Sequence, residues 1–211
     1  MNVLKLLGAN VATAVAQSIA FRSSATSSAA TITAPSDIVA GDLIVLYDRA
    51  TNTSGVPTSV VPTGFTSILD QSHEGVRPTI CSFKIANGSE ASASITGMDG
   101  TSADAKVMAV FSTSGATSAI AYDAAFESTD GDPATQTINA SSGSPPLVAI
   151  GFVRQVTATG QSMSPTQDGT VGSGQNVGYY KIYNSSPANV TFDCGDGGNA
   201  NALMSFYIEV N

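Results

Sequence analysis

Charge is scarce in this 211-residue chain, at 11 % of residues, and the sequence holds one histidine, two cysteines and no tryptophan. Each shortage excludes something. Few Glu, Lys and Arg leave little to coat the wet face of long exposed helices. One His and two Cys are a thin kit for acid–base or nucleophilic chemistry. The eight cations, Lys5, Arg22, Arg49, Arg77, Lys84, Lys106, Arg154 and Lys181, stand singly against sixteen acids, for a net charge of −8. Nucleic-acid binding needs several cations converging on phosphates, which this spacing does not supply. An anionic membrane surface is disfavoured by the same charge. The apolar stretch from Leu6 to Phe21 is too short to span a bilayer and is broken by Asn10, Thr13, Gln17 and Ser18. Together with Gly8 these residues also spoil a secretory signal.

What fills the space is 28 Ser, 22 Thr and 20 Gly beside an ordinary 42 % of hydrophobic residues. That composition supports one well-buried domain built from strands and turns. Short apolar or alternating runs recur at Leu43 to Tyr47, Ile80 to Ala86, Val107 to Phe111, Leu147 to Val153, Val177 to Tyr183 and Leu203 to Val210. Clusters of Gly, Pro, Asn and Asp separate them. Many short strands at such intervals predict an all-β fold, an antiparallel β-sandwich of jelly-roll-like type. Residues 1–28 read as an N-terminal arm or extended segment. Residues 29–211 read as one sandwich domain of two related halves, about 41–115 and 145–211.

The halves are suggested by an internal repeat. Phe83 to Phe111 aligns without gaps on Tyr180 to Ile208, an offset of 97 residues that matches Lys84 with Lys181, Ile85 with Ile182 and Asn87 with Asn184. Two copies are too few for a solenoid and predict a pseudo-symmetric sandwich with a shared core. Asn87-Gly88, between Phe83 to Ala86 and Ala91 to Ile95, predicts a tight hairpin turn.

Candidate chemistry is sparse. His73 lies in a polar stretch with no nucleophile-elbow Gly-x-Ser-x-Gly to serve, and reads as a solvated side chain. Cys81 and Cys194 share faces with core residues. A disulfide between them stays open, but buried free thiols are the expectation. No metal site is expected, and Asp130, Asp132, Asp193 and Asp196 are only weak calcium candidates, on the ground that Asp/Gly turns supply oxygen ligands. Asp and Gly are equally ordinary turn formers. No cofactor is expected, and Gly172-Ser173-Gly174 precedes a strand rather than a phosphate-binding helix. In the N-terminal segment Val3, Leu4, Leu6, Leu7, Val11 and Val15 are apolar but too irregularly spaced for one helix face. They are expected to form an assembly arm.

Four motifs carry a resemblance. They are Gly41-Asp42-Leu43-Ile44-Val45, Pro62-Thr63-Gly64-Phe65-Thr66, Phe83-Lys84-Ile85-Ala86-Asn87-Gly88-Ser89-Glu90, and Phe111-Ser112-Thr113-Ser114-Gly115. In this order they resemble all-β virion structural proteins of tailed bacteriophages and prophages. Phe65 stands where Trp is common in that set. The resemblance implies a non-enzymatic subunit of a phage particle: a capsid decoration or head-surface protein, a head fibre or a tail component. It also implies virion localisation after synthesis in the host cytoplasm. The implied partners are major capsid or tail proteins and copies of itself, with no nucleic acid and no membrane. The other reading is a carbohydrate-binding module or adhesin that uses an exposed Asp, Asn and Tyr face.

Overall fold

The structure is a computed structural model that describes residues 17–50, 60–73, 77–96, 103–129, 135–154, 160–173, 176–195 and 201–211. In chain order the first strands are β1 (Ile19–Ser27), β2 (Thr31–Thr33), β3 (Leu43–Ala50), β4 (Thr66–His73), β5 (Arg77–Ile85), β6 (Ser94–Thr96) and β7 (Ala103–Thr113). Then follow β8 (Ala119–Thr129), β9 (Thr135–Ile138), β10 (Leu147–Arg154), β11 (Ser162–Ser164), β12 (Gly169–Ser173), β13 (Asn176–Tyr183), β14 (Val190–Asp193) and β15 (Asn201–Val210). Among the described residues the only helical element is a 3-10 turn at Ala140–Ser142. The chain is all-β, as its composition predicts.

Two five-stranded antiparallel sheets, ordered β1-β7-β3-β5-β4 and β12-β13-β10-β15-β8, pack face to face. Leu43, Val45, Tyr47, Cys81, Phe83 and Phe111 of the first meet Val148, Ile150, Phe152, Met204, Phe206 and Ile208 of the second in the central core. Tyr47 stacks on Phe152 with ring centres 5.0 Å apart. β3 and β10 are the middle strands and are apolar on both faces. All eight residues of β10 are buried. Continuous apolar runs of this kind are what doubly covered strands require. The outer faces therefore need lids. On the first sheet, the β2–β6 pair brings Ile32 and Ile95 over Ile44, Leu46, Met108 and Val110. On the second, β11, β14 and β9 lay Met163, Val190, Phe192 and Ile138 over Leu147, Ala149, Leu203 and Tyr207.

Three expectations change. First, β1 lies within the stretch read as an arm but pairs with β7 along its length, from Ile19 opposite Thr113 to Ser27 opposite Lys106. As an edge strand it buries only Ile19 fully, so its Ser- and Ala-rich sequence shows little alternation. The first sheet thus draws on residues 19–113 and the second on 119–210, wider than the halves expected.

Second, Asn87-Gly88 is not a hairpin turn. β5 belongs to the first large sheet, whereas β6 pairs with β2 in the lid, so the turn is a corner between layers. Gly88 does take the positive φ that Asn-Gly favours, +97°. A hairpin here would have left the apolar outer face of β3 and β7 open to water.

Third, each large sheet comes from one contiguous stretch of chain. A jelly roll shuttles its strands between both sheets, so this order gives that expectation no support.

The two sheets share one strand order, β1, β7, β3, β5, β4 matching β8, β15, β10, β13, β12. Their registers match as well. Leu43 lies opposite both Ile85 and Phe111, and Val148 lies opposite both Ile182 and Ile208.

Close packing of lid on sheet sets one sensitive position. A Cβ on Gly151 would sit 2.3 Å from the Phe192 ring, which is fully buried. Gly151→Ala is expected to lower stability by about 1–3 kcal/mol. A urea titration should show this as a lower midpoint at unchanged slope.

Candidate interaction surfaces

The motif segments meet at one end of the first sheet. Gly41 N donates to Ala86 O at 2.9 Å, and Ala86 N donates to Asp42 O at 2.7 Å. Thr113 Oγ1 donates to Gly41 O at 2.6 Å and accepts from Ala116 N at 3.0 Å. The buried Asp42 carboxylate accepts from Val39 N at 2.9 Å and pairs with Arg22 Nε of β1 at 2.8 Å.

Beside this corner a groove of about 320 Å³ runs between Pro62, Phe65, Lys84, Glu90 and Ile95. Lys84 Nζ lies 5.5 Å from the Phe65 ring centre and 2.5 Å from Glu90. The other Glu90 oxygen accepts from Asn87 N at 3.1 Å and Gly88 N at 3.0 Å. Burial pushes the Glu90 carboxyl up, but the Lys84 hydrogen bond and charge, with the backbone donors, outweigh it and hold it below the usual range. The arrangement is a clamp on the β5–β6 corner, and its charges are spent on each other.

Of the carboxylates proposed for calcium, Asp193 alone falls among the described residues. Asp193 ends β14 and uses Oδ1 to accept from Gly195 N at 2.8 Å, which is a turn-forming role. Asp130, Asp132 and Asp196 lie outside the described residues, as do the arm residues Val3, Leu4, Leu6, Leu7, Val11 and Val15. No group of three or more His, Cys, Asp or Glu gathers among the described residues. His73 is the last residue of β4, opposite Arg77.

Both cysteines are buried and free. Cys81 Sγ sits 3.4 Å from Met204 Sδ in the central core, and Cys194 lies under the second lid. Burial pushes the Cys81 thiol well up and, helped by Asp193 and Glu127, the Cys194 thiol up to about 12. Toward the opposite end of β3, the buried Asp48 and Lys106 form an ion pair at 3.0 Å across the β3–β7 ladder. Burial raises the neighbouring Tyr47 hydroxyl strongly, against the opposing pull of Arg49 and Arg154.

One surface was not legible in the sequence. The edge strands β4 and β8 lie against each other along one side of the sandwich. Between them a groove of about 270 Å³ is lined by Thr66, Ile68, Phe83, Ala119 and Ala121, with Ile120 and Tyr122 beside it. Ile120 is 48 % and Tyr122 38 % exposed, the latter stacked on Tyr207. Both edges are irregular. Ile68 interrupts the register of β4, and β8 slips between Tyr122 and Ala125, where Asp123 takes a positive φ and accepts a hydrogen bond from Asn139 N. No apolar period marks this surface, because its residues come from two strands distant in sequence.

Comparison with known proteins returned no matching family model, no matching curated protein and no matching solved structure.

Two predictions follow from these groups. Glu90→Gln removes one charge from the clamp and is expected to cost about 1–3 kcal/mol. Because the Glu90 carboxyl is held low, its contribution is present above the unfolded value near 4.5 and fades as pH falls through the folded value. Denaturant midpoints of the wild type and Glu90→Gln should therefore converge toward acid pH.

The thiols behave oppositely. Raised values favour the neutral forms, so stability is full below about 9 and is lost as pH climbs toward about 12. Native protein should resist maleimide, and denaturation without reductant should expose two reactive thiols per chain, read by intact mass. A native protein that labels readily would contradict the burial of both groups.

Proposed function

We propose that this chain is a non-enzymatic structural subunit of a tailed-phage particle, a capsid decoration or head-surface protein. The observation that carries the reading is the bonded corner formed by residues 41–45, 83–90 and 111–115, with Phe65 of residues 62–66 packed beneath Lys84. These are the motifs by which the sequence resembles such proteins, and they define a scaffold rather than a reactive centre. The acidic, Ser/Thr-rich composition supports the same reading, since it suits a wet outer surface. In this reading the partners are major capsid or tail proteins and further copies of the chain, and the location is the virion.

We also infer that residues 19–113 and 119–210 are two copies of one unit. What supports this is their common strand order and the matched registers around Leu43 and Val148. Lys84 and Lys181, 97 residues apart, each hold a carboxylate, Glu90 and Asp168 respectively.

Mass spectrometry of particles purified from the organism that carries the gene tests the particle reading. The chain should be present at a copy number set by the capsid lattice, in the hundreds for a decoration protein. Absence from particles, together with saturable binding on a glycan array, would replace this reading with the carbohydrate-binding one.

A further inference from the structure

The two open sides of the sandwich are built alike but filled differently. On one side β1 faces β12, and Phe21 of β1 lies over the gap. Its ring stacks on Tyr180 at 5.2 Å and meets Phe111 edge-on at 6.0 Å. Gly169 makes room, since a Cβ there would sit 2.3 Å from the Tyr180 hydroxyl. On the other side β8 faces β4, and the floor is Phe83. Phe21 lies opposite Phe111 in β7, and Ala121 lies opposite Ile208 in β15, so Ala121 stands where Phe21 stands on the first side. A methyl group replaces a benzyl group there, and the groove beside Ile68 and Ala119 stays open.

We propose that this groove is the seat of the N-terminal segment, residues 1–16. Three observations select that occupant. The groove's volume, about 270 Å³, falls just below the ~300–1,000 Å³ of small-molecule sites and suits a few aliphatic side chains. The segment supplies them in Val3, Leu4, Leu6, Leu7, Val11 and Val15, and its one charge is a cation, Lys5, in a chain of net charge −8.

Length and position also fit. The described chain starts beside Ser18, whose N donates to Ser114 Oγ, and Asn184 Oδ1 accepts from Ile19 N at 2.7 Å. This root lies at the end of the sandwich where β4 and β8 begin, since Thr113, Ile85 and Thr66 mark one end of the first sheet and Ala119 pairs with Val210 at the matching end of the second. Four strand spacings, about 19 Å, separate β1 from β4. Sixteen residues reach about 50 Å when extended. The segment can therefore enter the groove of its own chain or of a neighbouring copy. The proposal goes beyond the particle reading, and its test needs no particle.

The full-length protein is used throughout. Thr66→Cys is combined in turn with Leu4→Cys, Leu7→Cys and Val11→Cys, the native thiols being buried. Mild oxidation should join at least one pair. Gel mobility without reductant tells an internal link from one between copies, and either supports the seat. Ser23→Cys on β1 at the far edge, with the same partners, should not join. Separately, Ala121→Phe copies the plug of the first side into the groove, and Thr66→Trp blocks it from an exposed position should the first variant fail to fold. Either is expected to speed trypsin cleavage after Lys5 about tenfold, because cleavage tracks the undocked population. The proposal is overturned if no pair joins, if Ser23→Cys joins as well as Thr66→Cys, or if a folded, blocked variant is cut at the wild-type rate.

Discussion

The fold rests on strands that are apolar on both faces. In β3, Leu43, Val45 and Tyr47 face the second sheet, while Ile44 and Leu46 face the opposite way, and all are buried. β10 repeats the condition with Val148, Ile150 and Phe152 inward and Leu147, Ala149 and Val153 outward. A two-layer sandwich would leave the second set in water, at a cost of about 1.5–3 kcal/mol for each large side chain. The four layers follow from that. The corner at Asn87 to Glu90, the small strands β2 and β6, and the seat of Phe192 over Gly151 all serve to lay a lid on a face that has no other cover.

The sides of the sandwich raise a different demand, because open strand edges invite pairing with other chains. β1 carries a break in register between Phe21 and Ser23, β4 one at Ile68 and β8 one beyond Tyr122. Such bulges bend an edge away from a flat partner. Asn184 further ties β1 to the second sheet by accepting from Ile19 N and donating to Ile19 O. The side closed by Ile19 and Phe21 and the side left open at Ala119 and Ala121 thus differ at two matched positions, and the smaller side chains leave an apolar groove.

Charge, scarce in the chain, is concentrated on fastening. Arg22 grips Asp42 from the edge strand, Lys84 grips Glu90 at the corner, Lys181 grips Asp168, and Lys106 meets Asp48 inside. A buried pair such as the last gives little net stability over an apolar replacement, yet removing one partner strands the other charge. Asp48 and Lys106 are direct partners across the β3–β7 ladder, so the pair joins the two strands at matched positions.

The central strands were legible because their residues are apolar over four to eight consecutive positions, a signal that survives without any knowledge of neighbours. Strand content, the burial of Cys81 and Cys194, and the core faces of Cys81, Phe83 and Ile85 were readable for that reason. β1, β4, β8 and β12 were not, since edge strands bury one face only in part and their Ala, Ser, Asp and Gly residues follow no clear period. Asn87-Gly88 shows the limit most clearly. Local chemistry determined the positive φ at Gly88, but whether the next strand folded back beside β5 or crossed to another layer depended on which apolar face needed covering. The groove between β4 and β8 lay further still from the sequence. It exists because two strands some fifty residues apart face each other across a sandwich and meet at an alanine, and only the packing of the whole chain decides that.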